Sequence, residues 1–455
     1  MELHRIPIPD AEGADKVIIY RPLPGIALVG NRALADLAAA LPHMTDPPDT
    51  PAVAFLTAVG WPQPDPPPPP DMPPAFRPTT AVLLMTNRCQ LCCTYCYAAA
   101  GVGPQETLTP DLGRAAIAYA CQMAQEMGRP TFEVSFHGGG EPTYAWRALQ
   151  ECVAYARQQP LPARLTLTSN GVWSARQRDW IMAHFDGLSL SVDGAPDTQD
   201  QQRPFRSGRG SAGVVGQTMA ALDAANFSYG IRMTATAPWS RLPEDVRYLC
   251  THTACRNLQV EPAFNTGRGG HIGGAAEECL AFADAFLEAY AIAAAAGRQL
   301  NYAGARIGLT TSAFCLAPYN ALVVNPRGEL VTCYEITGAD HPLACLSRIG
   351  CVVDGRVQID HAARAHLHTL MAARRQNCRD CFCYWSCAGD CYTRSFADGP
   401  DGHLTQGARC LMNRRISAGL LLHQIAHSPG SVWRRPQRQE GGTMTARADE
   451  GMEVV

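Results

Sequence analysis

The pattern of apolar and polar residues changes several times along the chain, first near the N-terminus. Two short apolar runs, residues 16–21 and 26–30, are separated by a Pro-Leu-Pro-Gly turn, which predicts a β-hairpin. Asn31 then stands at a helix N-cap position, and leucines at helical spacing continue to about Leu41. We therefore expect residues 1–60 to form a small N-terminal α+β module.

Two further segments lack this periodicity. Residues 61–76 contain nine prolines, five of them consecutive. Because proline fixes φ and removes an amide donor, this segment is predicted to be a semi-rigid linker between domains. After about His427 the periodicity and the apolar content are both lost, so we predict that residues 428–455 are disordered.

Between these segments, short apolar strands alternate with helical patterns. The strands are predicted at residues 80–86, 132–136, 165–168, 188–192, 231–236 and 258–264. Strands that are joined by helical crossovers form a parallel sheet, and the reactive groups lie at the carboxyl ends of its strands. The pattern alone therefore predicts a parallel α/β domain over residues 77–300.

The composition is that of a folded protein without the charge signature of a nucleic-acid partner. Hydrophobic residues make up 46% and charged residues 17%, and the net charge is −3. This net charge gives no reason to expect a nucleic-acid partner. No apolar run resembles a signal peptide or a membrane span, so we do not expect a membrane as a partner either. Nineteen cysteines without a visible export signal favour metal binding over disulfides, which predicts a reducing, cytoplasmic compartment.

The first cysteine cluster follows the first predicted strand of this domain. Cys89, Cys93 and Cys96 form a Cys-x₃-Cys-x₂-Cys pattern. Three thiolates on one short loop can bind three irons of a [4Fe–4S] cube. The fourth iron is left open, since Cys92 lies beside Cys93 and cannot reach around the cube. An open metal position is a place to bind and activate a ligand.

This pattern resembles the signature of the radical S-adenosylmethionine (radical SAM) enzymes. The resemblance implies an α/β fold with a partial (β/α)₆ barrel, in which the open iron chelates the amino and carboxylate groups of S-adenosyl-L-methionine. It also places the aromatic Tyr95 in the cofactor site. The Gly-Gly-Glu sequence after the second strand resembles the segment that binds the cofactor's amino group, which implicates Gly139, Gly140 and Glu141.

Three more residues match positions where the family contacts its cofactor. Asn170 and Ser191 end the third and fourth strands, and Arg203 follows where relatives often carry an arginine. Their alternative interpretation is that of turn and capping residues. Glu261, at the end of the sixth strand, could be a rim group or a buried hydrogen-bonding carboxylate. No catalytic acid or base is assigned.

A second cysteine pattern occupies residues 301–427. Its spacing is Cys-x₁₂-Gly-x₄-Cys, then Cys-x₂-Cys-x₅-Cys-x₃-Cys, and a last cysteine after eighteen residues. The seven cysteines are Cys315, Cys333, Cys378, Cys381, Cys387, Cys391 and Cys410. This spacing resembles the SPASM domain of radical SAM maturases. A zinc ribbon would instead need two ligand sets built mainly from Cys-x₂-Cys pairs, and only one such pair is present.

The resemblance implies two auxiliary clusters and thus three [4Fe–4S] clusters in all. One auxiliary cluster is assigned to Cys378, Cys381, Cys387 and Cys410, and the other to Cys315, Cys333 and Cys391. Relatives often supply a fourth ligand six residues after the first cysteine, where this chain has Ala321. Either Cys345, Cys351 or Cys383 completes that cluster or one iron is open, and we favour the open iron.

We therefore expect a radical SAM/SPASM maturase that oxidatively modifies a ribosomally synthesised precursor peptide, most simply by cross-linking it. The expected partners are that peptide and an external low-potential electron donor of the flavodoxin or ferredoxin type. The N-terminal module is similar to part of the winged-helix peptide-recognition modules, with a plain cap as the alternative.

Two other functions stay open from the sequence. The first is anaerobic oxidation of a serine or cysteine in a protein, as in sulfatase maturation. Those relatives use an aspartate beside an auxiliary-cluster cysteine, and here Asp390 precedes Cys391. The second, from another class, is a non-enzymatic iron–sulfur electron carrier or a zinc-binding adaptor.

Overall fold

The computed structural model describes residues 1–8, 15–264, 267–268, 275–338, 341–395 and 407–436. Its strands are β1 (His4–Pro7), β2 (Lys16–Arg21), β3 (Ile26–Asn31), β4 (Thr80–Leu84), β5 (Phe132–His137), β6 (Ala163–Ser169), β7 (Gly187–Ser191), β8 (Tyr229–Ala235), β9 (Asn257–Pro262), β10 (Gln299–Asn301), β11 (Ala321–Val324), β12 (Glu329–Val331), β13 (Arg348–Val353), β14 (Arg356–Ile359) and β15 (Val432–Arg434).

Its helices are α1 (Arg32–Ala40), α2 (Pro51–Ala58), α3 (Pro110–Glu126), α4 (Trp146–Arg157), α5 (Ala175–His184), α6 (Pro196–Gln202), α7 (Ala212–Ala224), α8 (Leu242–His252), α9 (Ala276–Ala295), α10 (Ala317–Asn320), α11 (Ala344–Ser347), α12 (His361–Gln376), α13 (Tyr384–Cys387), α14 (Tyr392–Ser395) and α15 (Ala408–Ala426). No helix in the described part of the chain is long and apolar enough to cross a membrane.

The centre of the fold is one large sheet. Its strand order is β10-β9-β8-β7-β6-β5-β4-β11-β12-β13-β14. All pairs from β10 to β11 are parallel, and the pairs from β11 to β14 are antiparallel. The predicted parallel α/β class is confirmed. Strands β10 and β11, which the sequence analysis did not separate out, extend the six predicted strands on both sides.

The two faces of the parallel strands differ in polarity, and this difference positions the site. On β5, the apolar Phe132, Val134 and Phe136 are buried, whereas the alternating side chains of Glu133, Ser135 and His137 are only partly buried. Strand β6 shows the same alternation. Apolar residues on one face pack under the helices, so the other face is free to carry polar groups.

The N-terminal segment forms a second sheet, with the strand order β1-β2-β3-β15. As expected for a capped helix, the Asn31 side chain accepts a hydrogen bond from Leu34 N (2.8 Å) at the start of α1. One sheet face packs on α1 and α2 through Ile19 and Leu28, and the other joins the main core through Ile18. The module is therefore not a detached unit.

The structure differs from the sequence-based prediction on both sides of the parallel α/β domain. Trp61, at the start of the proline-rich segment, is fully buried against the N-terminal module and donates from Nε1 to Ala38 O (2.9 Å). In the segment predicted to be disordered, β15 pairs antiparallel with β3, and Trp433 is buried. A short apolar segment can form a strand when it packs on a sheet edge, even if its neighbours in the sequence are polar. The rest of that segment, from residue 437, lies outside the described residues.

Candidate active site

The first cysteine loop begins where β4 ends, at the carboxyl edge of the parallel sheet. The glycine-rich segment after β5 is hydrogen-bonded to it, from Gly140 N to Thr86 O and from Glu141 N to Arg88 O, both at 2.8 Å. A Cβ on Gly140 would lie 2.1 Å from Arg88 O. Only glycine permits this close approach, which ties two strand ends into one site.

Each of the three cysteine sulfurs accepts a hydrogen bond from a nitrogen. The pairs are Asn170 Nδ2 to Cys89 Sγ (3.6 Å), Arg203 Nη1 to Cys93 Sγ (3.9 Å) and Ala100 N to Cys96 Sγ (3.5 Å). Burial raises the pKa of Cys89 to about 12 and that of Cys93 to about 11. Thiols that are buried and surrounded by N–H donors fit the ligands of an iron–sulfur cluster, whose sulfurs accept such hydrogen bonds.

Two arginines hold the backbone of this loop. Arg206 donates to Cys89 O (3.0 Å) and to Ala100 O (2.8 Å). Arg268 donates to Cys93 O (3.1 Å) and to the same Ala100 carbonyl (2.9 Å). The two guanidinium groups fix the loop's conformation, and Arg268 also places positive charge near Cys93.

Glu141 organises the ends of β5 and β6. Its buried carboxylate accepts hydrogen bonds from Thr143 Oγ1 (2.8 Å), Ser169 Oγ (2.8 Å) and Asn170 N (2.8 Å). Burial raises the pKa of Glu141, and these hydrogen bonds oppose that effect. The Glu141 carboxylate is thus fully engaged by protein donors. It holds the backbone of Asn170, whose side chain donates to the Cys89 sulfur.

A buried ionic network surrounds Tyr95. The Tyr95 hydroxyl donates to Asp193 Oδ2 (2.5 Å), Arg203 Nε donates to the same oxygen (2.9 Å), and the guanidinium lies over the tyrosine ring at 5.2 Å. Burial alone would lower the pKa of Arg203, but the Asp193 carboxylate outweighs it and raises that pKa. Thr234 N donates to the other Asp193 oxygen (3.0 Å), so the network joins β7, β8 and the cysteine loop.

The remaining predicted residues are placed less centrally. Gly139 packs against Thr337, 2.9 Å from where its Cβ would lie. Ser191 ends β7, opposite Arg232 of β8, and no hydrogen bond of its hydroxyl is recorded among the described residues. Glu261 accepts a hydrogen bond from Ala303 N (2.8 Å) and lies 3.7 Å from Arg409 Nη2. It therefore serves as a hydrogen-bonding carboxylate that links the barrel to α15.

The three cysteines assigned to one auxiliary cluster lie close together. Burial raises the pKa of Cys315 to about 11, and the charge of Cys391 adds to this. Burial also raises the pKa of Cys333, with contributions from Glu335 and from the other two cysteines. Ala317 N donates to Cys315 Sγ (3.4 Å). Thr393 Oγ1 lies 3.1 Å from Cys391 Sγ and donates to Glu335 Oε2 (3.3 Å).

The four cysteines assigned to the other auxiliary cluster are also neighbours. Burial is the main cause that raises the pKa of Cys378, Cys387 and Cys410, and in each case a second cysteine of the set contributes. The pKa of Cys381 is lowered to about 6, because the thiol of the buried Cys383 donates to its sulfur. Cys383 thus lies beside this set.

The loop between Cys387 and Cys391 has an unusual backbone. Ala388, Gly389 and Asp390 all have positive φ, at 52°, 91° and 66°. Asp390 is buried and its carboxylate accepts from Cys391 N (2.7 Å), from Asn413 Nδ2 (3.1 Å) and from Arg409 Nε (2.8 Å). These bonds stabilise a left-handed conformation that non-glycine residues rarely adopt.

Among the described residues, no group of three or more His, Cys, Asp or Glu side chains is arranged to hold a single metal ion. The ligand assignments therefore rest on cysteine spacing, burial and sulfur hydrogen bonds.

Comparison with solved structures identifies the architecture, although no family model and no curated protein sequence matches the chain. The structure of native anSMEcpe with bound AdoMet and Kp18Cys peptide superposes with a TM-score of 0.60 at 16% sequence identity, covering 74% of this chain and 95% of that one. Native anSMEcpe with bound AdoMet gives 0.58 at 15%, covering 75% and 96%. Streptococcus suis SuiB bound to precursor peptide SuiA gives 0.51 at 13%, covering 90% and 100%.

The chain has the radical SAM–SPASM fold. Within this fold, the sequence analysis missed the residues that hold the cysteine loop in place. Asp193 could have been identified from the sequence, because it lies two residues after Ser191 and is a carboxylate at the carboxyl end of a strand. Arg206 and Arg268 gave no such signal, because their contacts to the loop are to backbone carbonyls that any sequence provides.

Proposed function

We propose that this protein is a radical SAM enzyme that oxidatively modifies a precursor peptide. The observation that carries the proposal is the loop of Cys89, Cys93 and Cys96. In a radical SAM–SPASM fold, it lies at the carboxyl edge of the parallel sheet, with each sulfur hydrogen-bonded. The solved structures with this fold are described as bound to AdoMet and to peptides.

The three cysteines of the loop would hold a [4Fe–4S] cluster with one open iron. When bound, this cluster and S-adenosyl-L-methionine supply a 5′-deoxyadenosyl radical that abstracts a hydrogen atom from the substrate. The protein's residues orient and shield the reacting groups. Arg203 and Asn170 set the charge around the sulfurs, and Asp193 holds Tyr95 and Arg203 in place.

The two auxiliary cysteine sets support a net oxidation, because additional clusters can accept the electron that a substrate radical leaves behind. A sulfatase-type reaction through Asp390 is less well supported. Its carboxylate is bound to Arg409, Asn413 and the Cys391 amide, so it holds the loop and is not free to accept a substrate proton. Cross-linking of a peptide is therefore the function that the site supports best.

We also propose that the cluster of Cys315, Cys333 and Cys391 keeps an open iron. Ala321, at the usual fourth-ligand position, is buried in β11. Cys351 pairs with Glu329 on the neighbouring strand. Glu329 lies four residues before Cys333, so Cys351 is displaced from Cys333 by roughly 13 Å along the strand direction. The Cys383 thiol is hydrogen-bonded to Cys381 of the other set, and Cys345 is exposed at the surface. None of the three candidate cysteines is favoured as the missing ligand.

Pulsed EPR tests the open iron. In a Cys89/Cys93/Cys96→Ala background, added ¹³C-cyanide should couple magnetically to one auxiliary cluster. Absence of coupling, together with loss of that cluster on replacing Cys345, Cys351 or Cys383 by alanine, would show a fourth cysteine ligand instead.

We propose that the N-terminal sheet is the docking site for the leader part of the peptide. On one side, β15 already covers the edge of β3. On the other side, β1 is the edge strand and borders a groove with a cavity volume of about 360 Å³, lined by His4–Pro7, Asp380–Phe382 and Arg414. An edge strand presents unpaired backbone groups, so an extended peptide can add to it as a further strand.

A photo-crosslinking residue in place of Arg5 tests this docking site. It should capture the leader of a cognate peptide, whereas the same residue at the exposed Val353 of β13 serves as the control. Equal capture of the peptide at both positions, or capture at neither, would mean that β1 is a structural edge strand and not the docking site.

The enzymatic function itself is tested with anaerobically reconstituted protein. It should bind about twelve irons, as three cubes of four, and should cleave S-adenosyl-L-methionine to 5′-deoxyadenosine with dithionite as the reductant. A peptide encoded beside the gene should lose two mass units. A colourless, zinc-containing protein would establish the adaptor alternative, and a brown protein without cofactor cleavage would establish the electron carrier.

A further inference from the structure

One partly buried cation, Arg306, joins the two auxiliary cysteine sets. It lies in the segment between β10 and α10. Its Nη1 donates to Phe314 O (2.8 Å) and its Nε donates to Ser386 O (3.2 Å). Phe314 directly precedes Cys315 of one set, and Ser386 directly precedes Cys387 of the other. A single planar guanidinium therefore fastens both ligand loops to each other.

The charge of this guanidinium is not neutralised by a contacting carboxylate. Within the described residues, both of its hydrogen bonds go to carbonyl oxygens, no acidic group lies within salt-bridge distance, and Nη2 is buried without a partner. The group lies over the Phe314 ring at 5.0 Å. Burial lowers the pKa of Arg306, and the charges of Cys387 and Cys315 are the next largest influences, in the opposite direction. Arginine nevertheless stays charged in proteins.

Arg409, in the same region, behaves differently. Its Nε binds Asp390 (2.8 Å) and its Nη2 lies 3.7 Å from Glu261. Two carboxylates thus offset the charge of Arg409. Of these two arginines, Arg306 is the one without a carboxylate partner, and its charge acts on Cys315 of one set and on Cys387 of the other. In this partly buried environment, charges interact more strongly than in water.

We infer that Arg306 is an electrostatic link shared by the two auxiliary clusters, and that it raises the reduction potential of both. Each cluster gains negative charge when it accepts an electron, and a nearby uncompensated cation stabilises that reduced state. Arg306 is thus a positioning residue that makes the pair a better electron acceptor after the substrate is oxidised. This inference rests on the proposed function, because both cysteine sets must hold clusters.

The test is an EPR-monitored redox titration of full-length reconstituted protein. It uses the Cys89/Cys93/Cys96→Ala background, so that only auxiliary clusters contribute. Arg306→Met should retain its iron and shift both auxiliary midpoint potentials to more negative values. Arg306→Lys keeps the charge and should remain close to the parent protein. If Arg306→Met loses iron, Arg306→Gln, which keeps a donor but no charge, is measured in its place.

Arg364→Met is the matched control. Like Arg306, Arg364 donates to a backbone carbonyl, in this case that of Pro74 (2.6 Å), and lies over an aromatic ring, that of Phe76. Arg364 is buried. Its substitution should leave both potentials unchanged.

Unchanged potentials in Arg306→Met, a shift of only one cluster, or an equal shift in Arg306→Lys would overturn the inference. A parent protein with fewer than two auxiliary clusters would instead contradict the proposed function. The iron content and EPR signals of that parent are therefore measured first, which keeps the two failures separate.

Discussion

The cysteine loop after β4, here called the barrel loop, and the loop between Cys387 and Cys391, here called the auxiliary loop, are each held by an aspartate–arginine pair with a buried carboxylate. The two pairs act differently. In the barrel, Asp193 is the only carboxylate among the described residues that forms an ion pair with Arg203, whose Nη1 also reaches the Cys93 sulfur (3.9 Å). In the auxiliary domain, Arg409 is shared between Asp390 and Glu261, and Asp390 holds the backbone of its loop.

This difference teaches what each pair does. Asp193 offsets the charge of Arg203, but the arginine still donates to the Cys93 sulfur, so we expect this pair to affect the chemistry of the site.

In the auxiliary region, two carboxylates, those of Asp390 and Glu261, face the single charge of Arg409, and Asp390 stabilises the left-handed backbone of its loop. Further positive charge near the auxiliary sulfurs comes from other arginines: Arg306 acts on Cys315 and Cys387, and Arg374 and Arg414 act on Cys378 and Cys410.

The largest effect is expected from Asp193→Asn. It leaves Arg203 buried without its carboxylate, which should cost about 3–5 kcal/mol in the free energy of unfolding. Formation of 5′-deoxyadenosine should be lost, while the auxiliary EPR signals persist. Urea denaturation, product chromatography and EPR together measure this. Full cofactor cleavage in the variant would show that the pair is not part of the reactive site.

Asp390→Asn is the matched change in the other region and should cost less stability, because Glu261 still lies near Arg409. We expect 5′-deoxyadenosine formation to continue and peptide modification to fall, measured by mass spectrometry of the peptide. Loss of 5′-deoxyadenosine formation in Asp390→Asn would mean that the two regions cannot be separated in this way.

A smaller effect is expected from removing single sulfur donors. Asn170→Ala removes the donor to Cys89 and Asn413→Ala the donor to Cys387 (3.7 Å). Each should cost about 1 kcal/mol of stability and lower the reduction potential of its own cluster only. Redox titration of both variants checks this, and a change in the distant cluster would contradict the separation.

The last effect depends on pH and concerns the contact between the two regions. The His137 ring, at the end of β5, lies 5.2 Å from that of Tyr334, next to Cys333. Burial, and then the charge of Arg232, lowers the pKa of His137 to about 4. A lowered histidine pKa stabilises the fold above the unfolded pKa near 6.5, and this stability is lost as the pH falls from there towards 4.

Between pH 7.5 and 5.5 this corresponds to a loss of about 1 kcal/mol in the free energy of unfolding. His137→Gln should lose less stability than the parent protein over the same interval, as measured by urea denaturation at both pH values. An equal loss in both proteins would mean that His137 titrates normally in the folded state.

The sequence predicted those parts of the fold that depend on local pattern. The six parallel strands follow from apolar runs, and the helix cap at Asn31 follows from its side chain. The three-dimensional proximity within each cysteine set agrees with the spacing, although metal binding by these cysteines is still a prediction. Strand β15 was not predictable, because three residues become a strand only when the distant β3 offers an edge.

The surroundings of the cysteines were not predictable for the same reason. Arg268 donates to the cysteine loop across 175 positions of sequence, and Arg306 donates to Ser386 across 80. These bonds are made to backbone carbonyls, which carry no side-chain signature. Only the assembled sheet brings the donors to them.

The most direct test of the central claim, that the barrel loop holds the reactive cluster, is the Cys89/Cys93/Cys96→Ala variant. Iron content and 5′-deoxyadenosine formation are measured on the same anaerobic sample, with Cys92→Ala as the control that changes a neighbouring cysteine. We predict that the triple variant retains roughly eight of about twelve irons and forms no 5′-deoxyadenosine, whereas Cys92→Ala retains both. A triple variant that still cleaves S-adenosyl-L-methionine under dithionite would contradict the account.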